Sequence, residues 1–229
     1  MKLALILLML SVASASAEEP IIGLLTLPEV LGNGPCDDFS PEEITLYSGM
    51  DKKLTSGVIK VDKFWTFPKS GGCEGLTVNT HMLNGNNIRP LLTKEYRYEK
   101  PAAIILETQN DWFRLKTSSG SAWIKKTKTG RYISLENLLK NKMSYIDSKS
   151  GIKIFRESSI DDSIGVVSNS HSLNVVKTIN VDNKYWHHIQ VMDSSSCESD
   201  GPPKVLYEGW VPAHTATGKL TTWFYSRGC

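Results

Sequence analysis

The sequence predicts a mainly β protein built from two small barrels, the first carrying an insertion. Three observations predict it. One aromatic strand-turn-strand signature occurs twice: Asp111-Trp112-Phe113-Arg114-Leu115 leads to Ser121-Ala122-Trp123-Ile124, and Tyr185-Trp186-His187-His188-Ile189 leads to Gly209-Trp210-Val211. Elsewhere, short apolar segments alternate with polar turns at the period of two expected of half-buried strands. Only Ser134 to Lys142 has helical spacing, with Ser134 as N-cap, Asn137 three places on, and Leu135, Leu138 and Leu139 sharing one face.

The elements follow in chain order. Lys2, the apolar run Leu3 to Leu10 and the small residues Ala13 to Ala17 read as a secretory signal over 1–17. A run this short cannot cross a bilayer, which takes roughly 20 apolar residues. No later stretch approaches that length, and the alternative is a retained segment lying along the membrane. The expected destination is therefore periplasmic or secreted, with no membrane span after processing.

Residues 18–43 form an irregular leader, because Pro20, Pro28, Gly32, Gly34, Pro35 and Pro41 break regular structure. Its apolar piece, Ile21 to Leu25, is suited to an edge strand. The first unit spans 44–145, opening with Ile44-Thr45-Leu46-Tyr47 and resuming at Ala102 to Leu106 after an insertion that includes 64–90. The polar stretch from Lys140 to Gly151 marks the boundary, and the second unit occupies 146–229. Without the signal, 25 basic residues face 24 acidic ones with no long run of either sign. That balance gives little long-range attraction for nucleic acid.

Cys36, Cys73, Cys197 and Cys229 all follow the signal, and an even number in an exported chain reads as disulfides. Of the three possible pairings, Cys36 with Cys73 and Cys197 with Cys229 keep each bridge inside one half. Each would stabilise its unit by about 2–4 kcal/mol. Zinc is the competing use, but no C-x-x-C occurs and no cysteine stands beside a histidine at ligand spacing. No metal and no cofactor is expected.

The repeat extends beyond the aromatic signature. Ile44 to Tyr47 matches Ile152-Lys153-Ile154-Phe155, and Ala103-Ile104-Ile105-Leu106-Glu107 matches Leu173-Asn174-Val175-Val176-Lys177, each pair in the same order along its half. In this layout, with Asn110 to Leu115 and Asn183 to Ile189 before the closing Trp123-Ile124 and Gly209-Trp210-Val211, the chain resembles the bacterial SH3-like (SH3b) family. The resemblance covers roughly 44–135 and 150–215. It implies compact β-barrels that recognise cell-wall peptide or glycan, or that serve as accessory modules beside a wall-processing enzyme. The chain departs from the family at Ser121-Ala122, where glycine is usual before tryptophan, and in the long stretch between Val191 and Tyr207.

Aromatic faces on such units offer large contact area at low rotamer cost. The candidate ligand-binding residues are Tyr47, Trp112, Tyr132, Phe155, Trp186 and Trp210, with Arg114 to meet a ligand carboxylate. Each aromatic has a competing role in core or hairpin packing. No nucleophile elbow, zinc helix or phosphate loop occurs, and His187 and His188, adjacent in a strand, point to opposite faces. The expectation is a non-catalytic exported module binding peptidoglycan peptide or glycan. The alternatives are an assembly domain that receives an envelope protein and a wall hydrolase using Cys73 and His81.

Overall fold

The computed structural model describes residues 18–32, 42–51, 55–63, 77–82, 88–98, 100–118, 120–194 and 203–227. In chain order its elements are β1 (Gly23–Leu25), α1 (Pro28–Leu31), β2 (Ile44–Tyr47), β3 (Thr55–Lys63), β4 (Thr77–Met82), β5 (Ile88–Pro90), β6 (Thr93–Arg97), β7 (Lys100–Gln109), β8 (Trp112–Thr117), β9 (Gly120–Lys125) and β10 (Tyr132–Ser134). They continue as α2 (Leu135–Leu139), β11 (Met143–Ile146), β12 (Ile152–Phe155), β13 (Ser163–Val167), β14 (Leu173–Val181), β15 (Lys184–Met192), β16 (Val205–Pro212) and β17 (Thr222–Phe224). The fold is mainly β, in two sheets.

Neither sheet closes, which corrects the expectation of two small barrels. The first runs β10-β1-β7-β8-β9-β2-β3-β4-β5, with β6 also on β7, and the second runs β13-β12-β16-β15-β14-β11-β17. A barrel would need the free edge of β7 or β14 to meet the opening hairpin. Those edges are taken by β1 and β11, so each sheet extends sideways and stays open.

Without β4, β5 and β6, the first sheet reads β10-β1-β7-β8-β9-β2-β3, the same order as β17-β11-β14-β15-β16-β12-β13. The irregularities fall at matching places too. The opening hairpin shifts register between Leu46 and Tyr47 in one sheet and between Ile154 and Phe155 in the other. The central hairpin shifts between Ile105 and Glu107, and between Val175 and Lys177. Such bulges bend a strand and re-aim its side chains.

The leader contributes more than an edge. β1 lies between β7 and β10, antiparallel to both. Gly23 makes this possible, since a Cβ there would lie 2.7 Å from the Tyr132 ring. The Tyr132 hydroxyl donates to the Ile22 carbonyl oxygen at 3.0 Å and fastens the strand. At the other end of the first sheet's span, Met143 opens β11 within the second sheet, a few residues before the boundary expected at 145.

Two apolar cores follow from strand alternation. Leu25, Ala103 and Ile105 turn into a core confined to the first sheet, with Leu46, Ile59, Phe113, Leu115 and Ile124. Leu24, Ala102, Ile104 and Leu106 turn the other way, into a core shared with Val175, Ile189, Val211, Trp223 and Phe224 of the second. Strands buried on both faces read as unbroken apolar runs, as Ala102 to Leu106 does. Helix α2 supplies Leu135, Leu138 and Leu139 to the shared core, and the Ser134 hydroxyl accepts the Asn137 N–H at 3.3 Å as its cap. The two halves are therefore joined through apolar packing.

No disulfide occurs among the described residues, where the expectation had each unit stapled by one. Cys36, Cys73, Cys197 and Cys229 all lie outside the described residues, as does most of the 64–90 insertion. Close packing holds the β12–β16 junction. A Cβ on Gly209 would lie 2.7 Å from the Phe155 carbonyl oxygen and 2.8 Å from an Ile154 side-chain carbon. Gly209→Ala is accordingly expected to cost about 1–3 kcal/mol by overpacking, read as a lower denaturation midpoint with an unchanged slope.

Candidate functional site

The expected site residues fall into three groups. Tyr47 and Trp112 come together at one corner of the first sheet, with ring centroids 5.2 Å apart and planes at 84°. Both rings are half-buried. The bulge before Tyr47 and the position of Trp112 at the head of β8 set this edge-to-face contact, a geometry favoured by the ring quadrupoles.

The matching pair in the second sheet, Phe155 and Trp186, has nearly the same geometry, 5.7 Å and 87°. It is closed to solvent, with 5% and 3% exposure. Trp210 is half-buried, packs on His188 at 5.0 Å and lies under the Lys177 ammonium at 5.1 Å. Tyr132 serves the leader strand as described, and burial pushes its hydroxyl pKa up to about 12.

Arg114 is committed within the protein. It pairs with Glu19, and its Nε lies 3.0 Å from Glu107. The Glu19 hydrogen bond is the main influence holding its pKa above the ordinary arginine value. Across the strands Glu107, Arg114 and Trp123 stand in register, and the second sheet places Lys177, His188 and Trp210 in the same relation. An ion pair at one set of positions is thus matched by a cation-aromatic stack at the other.

Beside Tyr47 lies a groove of about 360 Å³, which Ile44 and Thr45 line with five charged residues. Glu29, Glu42 and Glu43 face Lys125 and Lys128 around it. Lys125 is also the cross-strand neighbour of Trp112. Burial disfavours ionisation of Glu29, but hydrogen bonds from Thr129 and Thr127 outweigh it and hold the carboxyl below its usual range. One oxygen accepts the Thr129 N–H at 3.3 Å, and the other is buried with no hydrogen-bond partner among the described residues. Aromatic faces beside charges of both signs suit a ligand that is itself mixed, such as a peptide or an amino-sugar chain.

These charged residues were not among the sequence candidates. Glu29 stands in the leader, and only the β1–β10 pairing brings its turn against Thr129, so no local pattern marks it. Lys125 carried one usable signal: it follows Trp123-Ile124 and closes its strand opposite Trp112.

Cys73 lies outside the described residues, and His81 is described only through the backbone of β4. His187 is fully buried, with Nδ1 2.8 Å from the Thr178 hydroxyl and Nε2 without a partner among the described residues. His188 faces the opposite side, against Trp210. No group of three potential metal ligands occurs among the described residues, and none of their helices is long and apolar enough to cross a membrane. No protein-family model, curated protein or solved structure matches the chain. What fold and site define is a mainly β, two-sheet protein.

Proposed function

We propose that this chain is an exported, non-catalytic binding module for cell-envelope peptide or glycan. In this reading it consists of two divergent units related to the SH3-like family, opened into sheets, and the first unit carries the ligand seat. One observation carries it: the recurring aromatic pair stays half-exposed beside a mixed-charge groove at Tyr47 and Trp112, while its counterpart Phe155 and Trp186 is sealed into the core. Divergence of that kind leaves one unit free to bind and turns the other toward structure. The shared strand order and the matched bulges support common descent of the two units. The signal-like first 17 residues support export.

A second reading is favoured by the outer edge of the second sheet. Among the described residues β13 pairs only with β12, and it exposes Ile164 and Val166, the latter at 57%. An unpaired edge with apolar side chains accepts a strand from a partner protein. Co-sedimentation with purified cell-wall sacculi separates the readings. Retention of the native chain above a heat-denatured control is the expected result. No retention, together with capture of one envelope protein that is lost on Val166→Lys, would replace the first reading with the second.

A further inference from the structure

Where the two sheets meet, a cleft of about 590 Å³ opens between β6, β10 and β17. Arg97, Arg131 and Lys142 line it, and Tyr96, Phe224 and Tyr225 supply aromatic surface. No carboxylate lines it among the described residues. The acid next in sequence to this wall, Glu95, is already engaged. It accepts from the Ser226 hydroxyl at 2.7 Å and from Arg227 at 3.0 Å.

Three cations facing one space, with no counter-charge among the described residues, repel one another. Lys142 has its pKa held below the ordinary lysine value first by burial and then by the charge on Arg97. Lys142 finds partial compensation over the Phe224 ring, 4.1 Å from its centroid, and Arg97 lies 6.0 Å from the centre of Tyr96. Cation-π contacts of this kind engage the face of a ring and leave N–H donors to meet an acceptor. A bound oxyanion would relieve the repulsion and use those donors. The net charge of the whole chain is near zero, so this concentration of positive charge is local.

We propose that this cleft is a binding site for a carboxylate, the end of a short peptide or a small organic acid. Two guanidinium groups favour a planar acceptor that can take paired hydrogen bonds. The volume lies within the range of small-molecule clefts. The aromatic walls provide contact for the apolar part that follows the carboxylate. Thr129 lines both this cleft and the groove beside Tyr47, so the two depressions adjoin. The carboxylate site stands on its own residues, whether or not Tyr47 and Trp112 bind the envelope.

The test is an NMR titration of the full chain with acetyl-trialanine, with the same peptide amidated at its carboxyl end, and with inorganic phosphate, each to millimolar concentration. The free acid is expected to shift the amides of Ile133, Asn137 and Ser226. The amidated peptide should bind at least about tenfold more weakly, as should the free acid with Arg97→Gln/Arg131→Gln. Both arginines are exposed, so the variant should keep its melting temperature. Equal binding of acid and amide, an unaffected double variant, or no shift at the cleft would overturn the proposal. Binding of phosphate alone would overturn the carboxylate assignment. Loss of sacculus binding on Trp112→Ala with the peptide shifts intact would separate this site from the envelope reading.

Discussion

Lowering the pH from about 7 to about 5 is expected to destabilise the fold by about 2 kcal/mol, chiefly through His187. Burial pushes its pKa from 6.5 down to about 3, and the neighbouring His214 adds a smaller push in the same direction. The unfolded chain takes up a proton as pH falls through 6.5, while the folded chain does not until about 3. Stability is therefore complete above 6.5 and declines below it, by up to about 1.4 kcal/mol for each pH unit. His214 shifts downward too, mainly by burial, although its hydrogen bond to the Ile21 carbonyl oxygen opposes the shift. Urea denaturation at a series of pH values, on the wild type and on His187→Gln, measures the effect. The variant should lose most of the acid slope, and an unchanged slope would remove His187 as its source.

Leu24→Ala is expected to cost about 2–5 kcal/mol, as deletion of a fully buried leucine side chain does. Leu24 reaches the core that both sheets share, whereas its neighbour Leu25 reaches the core of the first sheet alone. Leu25→Ala should cost a similar amount. The difference lies in what each loosens: Leu24→Ala should increase amide exchange in β14 and β15 as well as in β7, while Leu25→Ala should act mainly on β7 and β8. A cost below about 1 kcal/mol for Leu24→Ala would mean that the leader strand is only loosely attached.

Much of this architecture was legible because it is local. The aromatic signatures fall on the β8–β9 and β15–β16 hairpins, and Ser134 caps the helix that its spacing indicates. Other features depend on pairings between residues far apart in sequence. The prolines and glycines around Ile21 to Leu25 describe an irregular leader when read alone. The strand forms because β7 offers an open edge and Gly23 lets Tyr132 come close. That same edge occupancy is why the sheets stay open, which no aromatic spacing reveals.

The site was partly legible for the same reason. Tyr47, Trp112, Phe155 and Trp186 follow one pattern, and the chain shows no difference between the pairs beyond a tyrosine in place of a phenylalanine. That hydroxyl was the available hint, since a tyrosine at a pair position tolerates water where phenylalanine does not. The charged rim of the groove and the cationic cleft draw on the leader, β6, β10 and β17, which meet only in the folded chain.

The measurement that tests the binding account most directly is calorimetric titration of soluble cell-wall fragments into the wild type, Trp112→Ala and Trp210→Ala. Loss of a central aromatic contact typically costs at least about 1.4 kcal/mol, a tenfold change. Trp112→Ala should therefore bind at least about tenfold more weakly, while Trp210→Ala, whose ring is occupied by His188 and Lys177, should bind like the wild type. Equal affinity in the wild type and Trp112→Ala, with both folded, would contradict the account.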